Sequence, residues 1–385
     1  MKKILTVLGL TQLVGWGTLY YSFSIFVTPI HEKLGWSYSA INAAVTVSLI
    51  TWAICAPFVG NMLHTKGARF VMSTGSLIAS FGLLIWGLTP YSYAVFLTAW
   101  MLIGISMSMV LYESSFAVLT TQFENYKKGI NLLTIVGGLA STIFIPIVQF
   151  SIDKSSYEET IWLLFLLNLA VNFPLHFIFL PKSKANFKKL DSSQKLHSKR
   201  VRNLLKDQSF LGLLIWFSAY ALLTSGFSFL LFPLLLDFGV DKNNVIYTMA
   251  LIGVMQVVGR VVFIIFETKE NNRDIGIVIN IFFLLSILIL LFSKNFFALL
   301  LFAFLYGSAK GIMSIIKGTA AADLFSLDYY TRINGFLSGI SGFVKATSPL
   351  LLSILWTNYQ SGTSVLFILL IVPLIGIVGV KLISN

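Results

Sequence analysis

Residues 23–35 read FSIFVTPIHEKLG and residues 227–239 read FSFLLFPLLLDFG. In each, Phe-Ser opens the stretch, Pro follows six positions after the Phe, and Gly six positions after the Pro, so Phe23, Ser24, Pro29 and Gly35 return as Phe227, Ser228, Pro233 and Gly239. The displacement is 204 positions, Phe23 against Phe227. A second set, Ile130-Asn131 with Pro146, returns as Ile333-Asn334 with Pro349. Matches of Phe and Leu arise easily by chance in apolar sequence, but spaced Pro, Gly and Asn do not, so the chain reads as a duplication.

Working outward, both stretches lie inside long apolar runs. The chain is 57% hydrophobic, 11% charged and has a mean hydropathy of +0.86, where soluble domains carry roughly 25% charged residues. It is an integral membrane protein by composition. Runs long enough to cross a bilayer, about 20 residues each, fall near residues 4–30, 40–63, 70–89, 93–120, 130–151, 160–180, 208–236, 244–266, 275–293, 296–325, 333–356 and 362–383. Their backbones are expected to be helical, since lipid offers no partner to an open strand edge. Met1-Lys2-Lys3 followed by an apolar run has the look of a signal peptide. The run continues to about residue 30 through Trp16, Tyr20 and Tyr21 without a small-x-small cleavage site, and reads as an uncleaved first span.

The net charge of +12 sits in loops, which argues for membrane topology and against nucleic acid as a partner. With the N-terminus inside, only Lys33, Lys154, Lys242 and Lys294 fall in loops on the opposite side. The positive-inside rule therefore puts both termini in the cytoplasm of a multi-pass protein of the inner membrane. The longest polar stretch holds Lys182, Lys184, Lys188, Lys189, Lys195, Lys199, Arg200, Arg202 and Lys206 and parts six spans from six. It reads as a basic cytoplasmic linker, 182–207, lying against anionic lipid, between an N-terminal bundle, 1–181, and a C-terminal bundle, 208–385. The lone Cys55 excludes an internal disulfide and a cysteine metal cluster. His31, His64, His176 and His197 are scattered at no metal or triad spacing and read as loop or interface residues, and no GxxxxGK[ST] occurs, so neither an enzyme nor a cofactor is expected.

Twelve spans in two repeated halves resemble the major facilitator superfamily over essentially the whole chain. Within it, YSFSIFVTPIHEKLGWSYSAI, residues 21–41, resembles the monocarboxylate transporter and oxalate/formate antiporter group. The superfamily's loop 2–3 signature is recognisable in Gly60, Gly67 and Arg69, with His64 at the acid position and Ala68 at the first arginine. The resemblance implies an all-α fold of two pseudo-symmetric six-helix bundles, related by an axis along the membrane normal. It further implies a binding site near mid-membrane and alternating access, and assigns Arg69 to the gate.

Three cations lie deep in apolar stretches of the second half, Arg260, Lys310 and Lys345, and the matching stretches of the first half hold none. A cation at the centre of a membrane helix costs roughly 2.5–3.5 kcal/mol on insertion scales, so it is seldom kept unless it faces a cavity, a partner or a ligand. Arg260 follows Gln256 by one turn in QVVGR, where the monocarboxylate group has an acid-x-x-x-Arg pair. The resemblance implies that Arg260 receives a substrate carboxylate and that Lys345, in FVKATSPL, is the second cation. Lys310 follows Tyr306 by one turn on a stripe through Ser314 to Lys317. Nothing in the resemblance covers Lys310. Trp16, Tyr20 and Ser24 form an i, i+4 stripe matched by Tyr220, Thr224 and Ser228, and the superfamily's cavity-lining spans 1 and 7 imply that these residues line it. Glu113 and Lys317 stand 204 positions apart and are expected to form a gate ion pair, or Glu113 to carry a coupling proton.

The resulting expectation is a secondary transporter, a monomer in the lipid bilayer, that carries a small organic anion by proton symport or anion exchange. The alternative is an efflux transporter for a siderophore, metabolite or drug.

Overall fold

The computed structural model describes residues 2–122, 126–181, 207–265, 272–325 and 327–383. Every described regular element is helical, and twelve helices are long and apolar enough to cross a membrane. They are α1 Lys3–Leu34, α2 Tyr38–Leu63, α3 Ala68–Leu88, α4 Tyr93–Leu119, α5 Lys128–Lys154, α6 Tyr157–Phe179, α7 Gln208–Asp237, α8 Lys242–Phe263, α9 Arg273–Phe292, α10 Phe296–Lys317, α11 Phe336–Tyr359 and α12 Gly362–Lys381. They group into two compact units, Met1–Lys188 and Lys189–Asn385. The expected basic linker lies outside the described residues except at Asp207.

Lipid tails are as apolar as leucine, so hydrophobicity does not pull these helices together. Close packing of small residues does. In the N-terminal unit a Cβ on Gly104 of α4 would strike the backbone of Ser48 on α2, 2.8 Å from its carbonyl carbon. In the C-terminal unit a Cβ on Gly307 of α10 would stand 2.7 Å from the Ile252 carbonyl oxygen on α8. Gly104 and Gly307 stand 203 positions apart and Ser48 and Ile252 204, within one position of the displacement of the opening repeat, so the duplication is visible as one backbone contact made twice. Gly259 against Ser308 and Gly311 against Gln256 extend the α8–α10 seam on both sides.

The opening repeat also returns as geometry. Gly35 and Gly239 close the first helix of each unit with φ of 68° and 74°, the left-handed conformation that side chains resist. Gly239→Val is expected to cost about 1–2 kcal/mol from that conformation alone, read as a lower midpoint in thermal denaturation of the purified protein.

The N-terminal unit departs from regular helix at four places, one of them Leu139, which parts α5 into Tyr126–Gly138 and Ala140–Lys154. α1 widens to a π-turn at Gly17–Tyr21, and α6 does so at Asn168–Asn172. The two turns are joined, since buried Asn168 donates from Nδ2 to Thr18 Oγ1 at 2.9 Å. α4 breaks at Leu111, whose ψ of −162° is extended. The carbonyl of Val110 at this break accepts a hydrogen bond from Gln12 Nε2 of α1 at 2.7 Å.

Candidate functional site

The α8–α10 seam fixes the first cation. With Gly259, Gly307 and Gly311 allowing backbone contact, Arg260 on α8 lies across from Ser314 on α10 and donates from Nε to its Oγ at 2.9 Å. That hydroxyl in turn donates to the Gly311 carbonyl at 2.6 Å, so the guanidinium is held by a group that is itself oriented. Arg260 is 8% exposed. Gln256, one turn earlier, is buried, and its Nε2 has no hydrogen-bond partner among the described residues.

Lys310, one turn before Ser314 on α10, turns toward α7. Its Nζ reaches Ser228 Oγ at 3.4 Å and stands 5.9 Å from the centroid of the Tyr306 ring. Ser228 Oγ donates back to the Thr224 carbonyl and Thr224 Oγ1 to that of Tyr220, each at 2.7 Å, while Tyr220 OH points to the Lys310 carbonyl at 3.5 Å. The stripe read from the sequence of α7 is therefore a polar ladder beside Lys310. Tyr306 packs among Phe227, Phe283 and Phe302 with ring centroids at 5.3, 5.6 and 5.4 Å, so its ring belongs to the core.

Lys345 on α11 is positioned through its backbone. Ser225 Oγ donates to the Lys345 carbonyl at 2.7 Å and Ser348 Oγ to the Leu222 carbonyl at 2.6 Å, which clamps α11 to α7 where Gly226 leaves room. The structure thus gathers all three predicted cations in one unit, and Lys310 lies in the fields of both Lys345 and Arg260. The spans α7, α8, α10 and α11 contain no Asp or Glu between Gln208 and Leu236, Lys242 and Phe263, Phe296 and Lys317, or Phe336 and Tyr359. Like charges brought near one another in a medium of low dielectric repel. An anion entering such a group is attracted by every member and relieves their mutual repulsion.

The other predicted residues are placed as follows. Arg69 on α3 donates from Nε to the Leu180 carbonyl at 2.6 Å and from a terminal nitrogen to the Ile178 carbonyl at 3.0 Å, where it closes the C-terminal end of α6. Glu113 is exposed in the first turn after the α4 break, and Lys317 lies at the end of α10. Trp16 and Tyr20 join Tyr21, Trp52 and Tyr112 in an aromatic cluster around the α1 π-turn. One expectation is corrected. His176 is fully buried, with Nδ1 2.8 Å from Ser76 Oγ, and is a packing residue between α3 and α6, not a loop or interface histidine. Sequence reasoning passed over Gln12, Ser225 and Ser348. Of these, Gln12 carried a signal, an amide inside the first apolar run one turn before Trp16.

The family model for the Major Facilitator Superfamily matches residues 8–278. The agnestins efflux protein AgnL12 of Paecilomyces divaricatus is 23% identical over 302 residues, 75% of this chain. The matched region spans 66% of that relative's own length, slightly under two thirds. Among solved structures, a point mutant of the nucleoside transporter NupG superposes with a TM-score of 0.82 at 13% identity, covering 99% of each chain. The unmutated NupG superposes with a TM-score of 0.75 at 14% identity, covering 98% of this chain and 96% of that one. These two likenesses establish the fold, and the family match adds the class: this chain belongs to the major facilitator superfamily, a family of multi-pass membrane transporters and not of enzymes.

Proposed function

We propose that this protein is a secondary transporter of a small organic anion, a mono-, di- or polycarboxylate, working by proton symport or anion exchange in the manner of the monocarboxylate and oxalate/formate group. The observation that carries this reading is the grouping of Arg260, Lys310 and Lys345 in one unit on acid-free spans. Arg260 receives a carboxylate, for which a planar fork of donors is suited. Lys345 and Lys310 hold a second anionic or polar group, Gln256 offers a neutral donor beside Arg260, and Tyr220 and Tyr306 shape the wall around Lys310. Trp16 and Tyr20 line the path in the N-terminal unit. Glu113, Lys317 and Arg69 serve gating or coupling. The protein acts as a monomer in the inner membrane with both termini cytoplasmic, as bundles 1–181 and 208–385 joined by the basic segment 182–207.

The likeness to the Paecilomyces agnestins efflux protein favours a second reading, efflux of a siderophore, metabolite or drug. Direction does not alter the anion site, so one experiment tests the chemistry of both. Purified protein is screened by thermal denaturation against mono-, di- and tricarboxylates and against uncharged amides of the same acids. Ligands that bind the native state raise the midpoint with occupancy. Carboxylates are expected to raise it and their amides are not. Equal shifts from both, or shifts from neither, would remove the anion assignment.

A further inference from the structure

The four departures from regular helix in the N-terminal unit meet around one short stretch of α1. Gly15 lies between two of them: a Cβ there would stand 3.2 Å from Leu111 Cδ2, at the break in α4, and 3.9 Å from Asn172 Nδ2, at the end of the α6 π-turn. Two residues on, where the α1 π-turn starts, a Cβ on Gly17 would run into the Phe144 ring, just past Leu139 on α5. Thr18 then takes the hydrogen bond from Asn168 that joins the two π-turns. The breaks in α4 and α5 are joined as well. Tyr112, first after the α4 break, donates to the Thr134 carbonyl at 3.4 Å and lies against Gly137, both shortly before Leu139. At Leu139 the backbone N–H turns to the Val136 carbonyl at 3.1 Å, a tighter turn than the α-helix makes. Four helices thus change course in one layer, each change touching another.

The repeat-related positions of the C-terminal unit do none of this. Gly17–Tyr21 corresponds to Ala221–Ser225, Leu111 to Ser314 and Leu139 to Gly342, at displacements of 204, 203 and 203. There α7, α10 and α11 run on as unbroken helix. Proline does not make the difference, because Pro29 and Pro146 return as Pro233 and Pro349. What stands at those levels is the cation group: Ser314 holds Arg260, Ser225 holds the Lys345 carbonyl, and Gly342 lies one turn before Lys345. A binding geometry is kept best on rigid elements, whereas π-turns and tight turns inside a helix are where helices kink and hinge.

We infer that this layer is a hinge: the ends of α1, α4, α5 and α6 on one side of it swing together against the rest of the N-terminal unit, while the C-terminal unit carries the cations on helices that do not bend. α2 and the part of α4 before Leu111, joined where Gly104 meets Ser48, lie on the fixed side. Bending is thereby confined to the half without cations, and the binding geometry is undisturbed by it. The inference rests on the chain being a transporter and is independent of the charge assigned to its substrate.

The test measures distances by double electron–electron resonance between nitroxides on the full-length protein in lipid nanodiscs, in a Cys55→Ser background. Labels at Phe58 on α2 and Leu132 on α5 span the layer, and their counterparts, displaced by 204, are Val262 on α8 and Phe336 on α11. All four positions are exposed. Leu132 stands seven positions before Leu139, about 10 Å along the helix, so a swing of about 20° moves it by about 4 Å. Phe58/Leu132 is expected to give a broad or two-peaked distribution and Val262/Phe336 a single narrow one. Phe58/Phe150, with the second label past Leu139 and also exposed, is expected to be narrow too. Gly15→Ala, which fills the gap between Leu111 and Asn172, is expected to narrow the Phe58/Leu132 distribution and leave Val262/Phe336 unchanged. One narrow distance for Phe58/Leu132, the mark of a permanent kink, would overturn the hinge. So would equal breadth in the two units, or breadth that survives Gly15→Ala. The comparison of the two units uses surface labels alone and decides the matter even where Gly15→Ala does not fold.

Discussion

Arg260→Gln is expected to lower transport in proteoliposomes by about 100-fold or more in kcat/KM while leaving the resting protein as stable as before, or slightly more so. Removing one partner from a desolvated, hydrogen-bonded charge pair typically costs about 2–5 kcal/mol, and each 1.4 kcal/mol is a factor of about ten. The stability arm has the opposite sign because Lys310 lies in the like-charged fields of Arg260 and Lys345, so neutralising Arg260 removes one of the two charges that oppose it when no substrate is present. Arg260→Lys keeps the charge and loses the planar fork, with an expected intermediate fall of about tenfold. A structural arginine would behave in the reverse way, with Arg260→Gln unfolding the protein more readily and transport per folded molecule unchanged. Initial-rate uptake paired with thermal denaturation of the same preparations separates the two.

Gly311→Val is expected to prevent recovery of folded protein. A Cβ at this position would stand 2.9 Å from the carbonyl carbon of Gln256 and 3.0 Å from its Cα. Backbone cannot step aside as a flexible side chain can. Forcing α10 from α8 would also separate Ser314 from Arg260, so packing and site fail together. Overpacking costs typically about 1–3 kcal/mol and occasionally more, and a branched side chain against rigid backbone belongs at the upper end. Gly60 and Gly339 provide the control, since a Cβ at either meets nothing within 4 Å. Gly60→Val and Gly339→Val are expected to be recovered in near wild-type yield, as surface changes fall within about 0.5 kcal/mol. Monodispersity on size exclusion in detergent is the readout.

What the sequence made legible follows the range of the physics involved. Span number, helical state and the repeat depend on composition and spacing, so Phe23–Gly35 and Phe227–Gly239 sufficed to find them. The three cations were legible because charge in an apolar run is conspicuous one residue at a time. Their partners were not, since Ser314 for Arg260, Ser228 for Lys310 and Ser225 for the Lys345 carbonyl join different helices, and serine in a membrane span most often bonds its own preceding turn. The break at Leu111 was hidden for a related reason. No Pro or Gly marks it, and it persists because Gln12, 98 positions earlier, takes the released carbonyl. His176 misled because its polar type suggests an interface, whereas its Nδ1 meets Ser76 and the rest of the ring is packed.

The doubled backbone contact, Gly104 on Ser48 and Gly307 on Ile252, supplies a built-in ruler for spectroscopy. Helices touching without intervening side chains cannot slide without a clash, so α2 with α4, and α8 with α10, should each travel as one rod through the working cycle. Spin labels at Ile54 and Met101, or at Val258 and Phe304, all exposed positions, should return unchanging separations with and without ligand, and every other pair of labels can be calibrated against them.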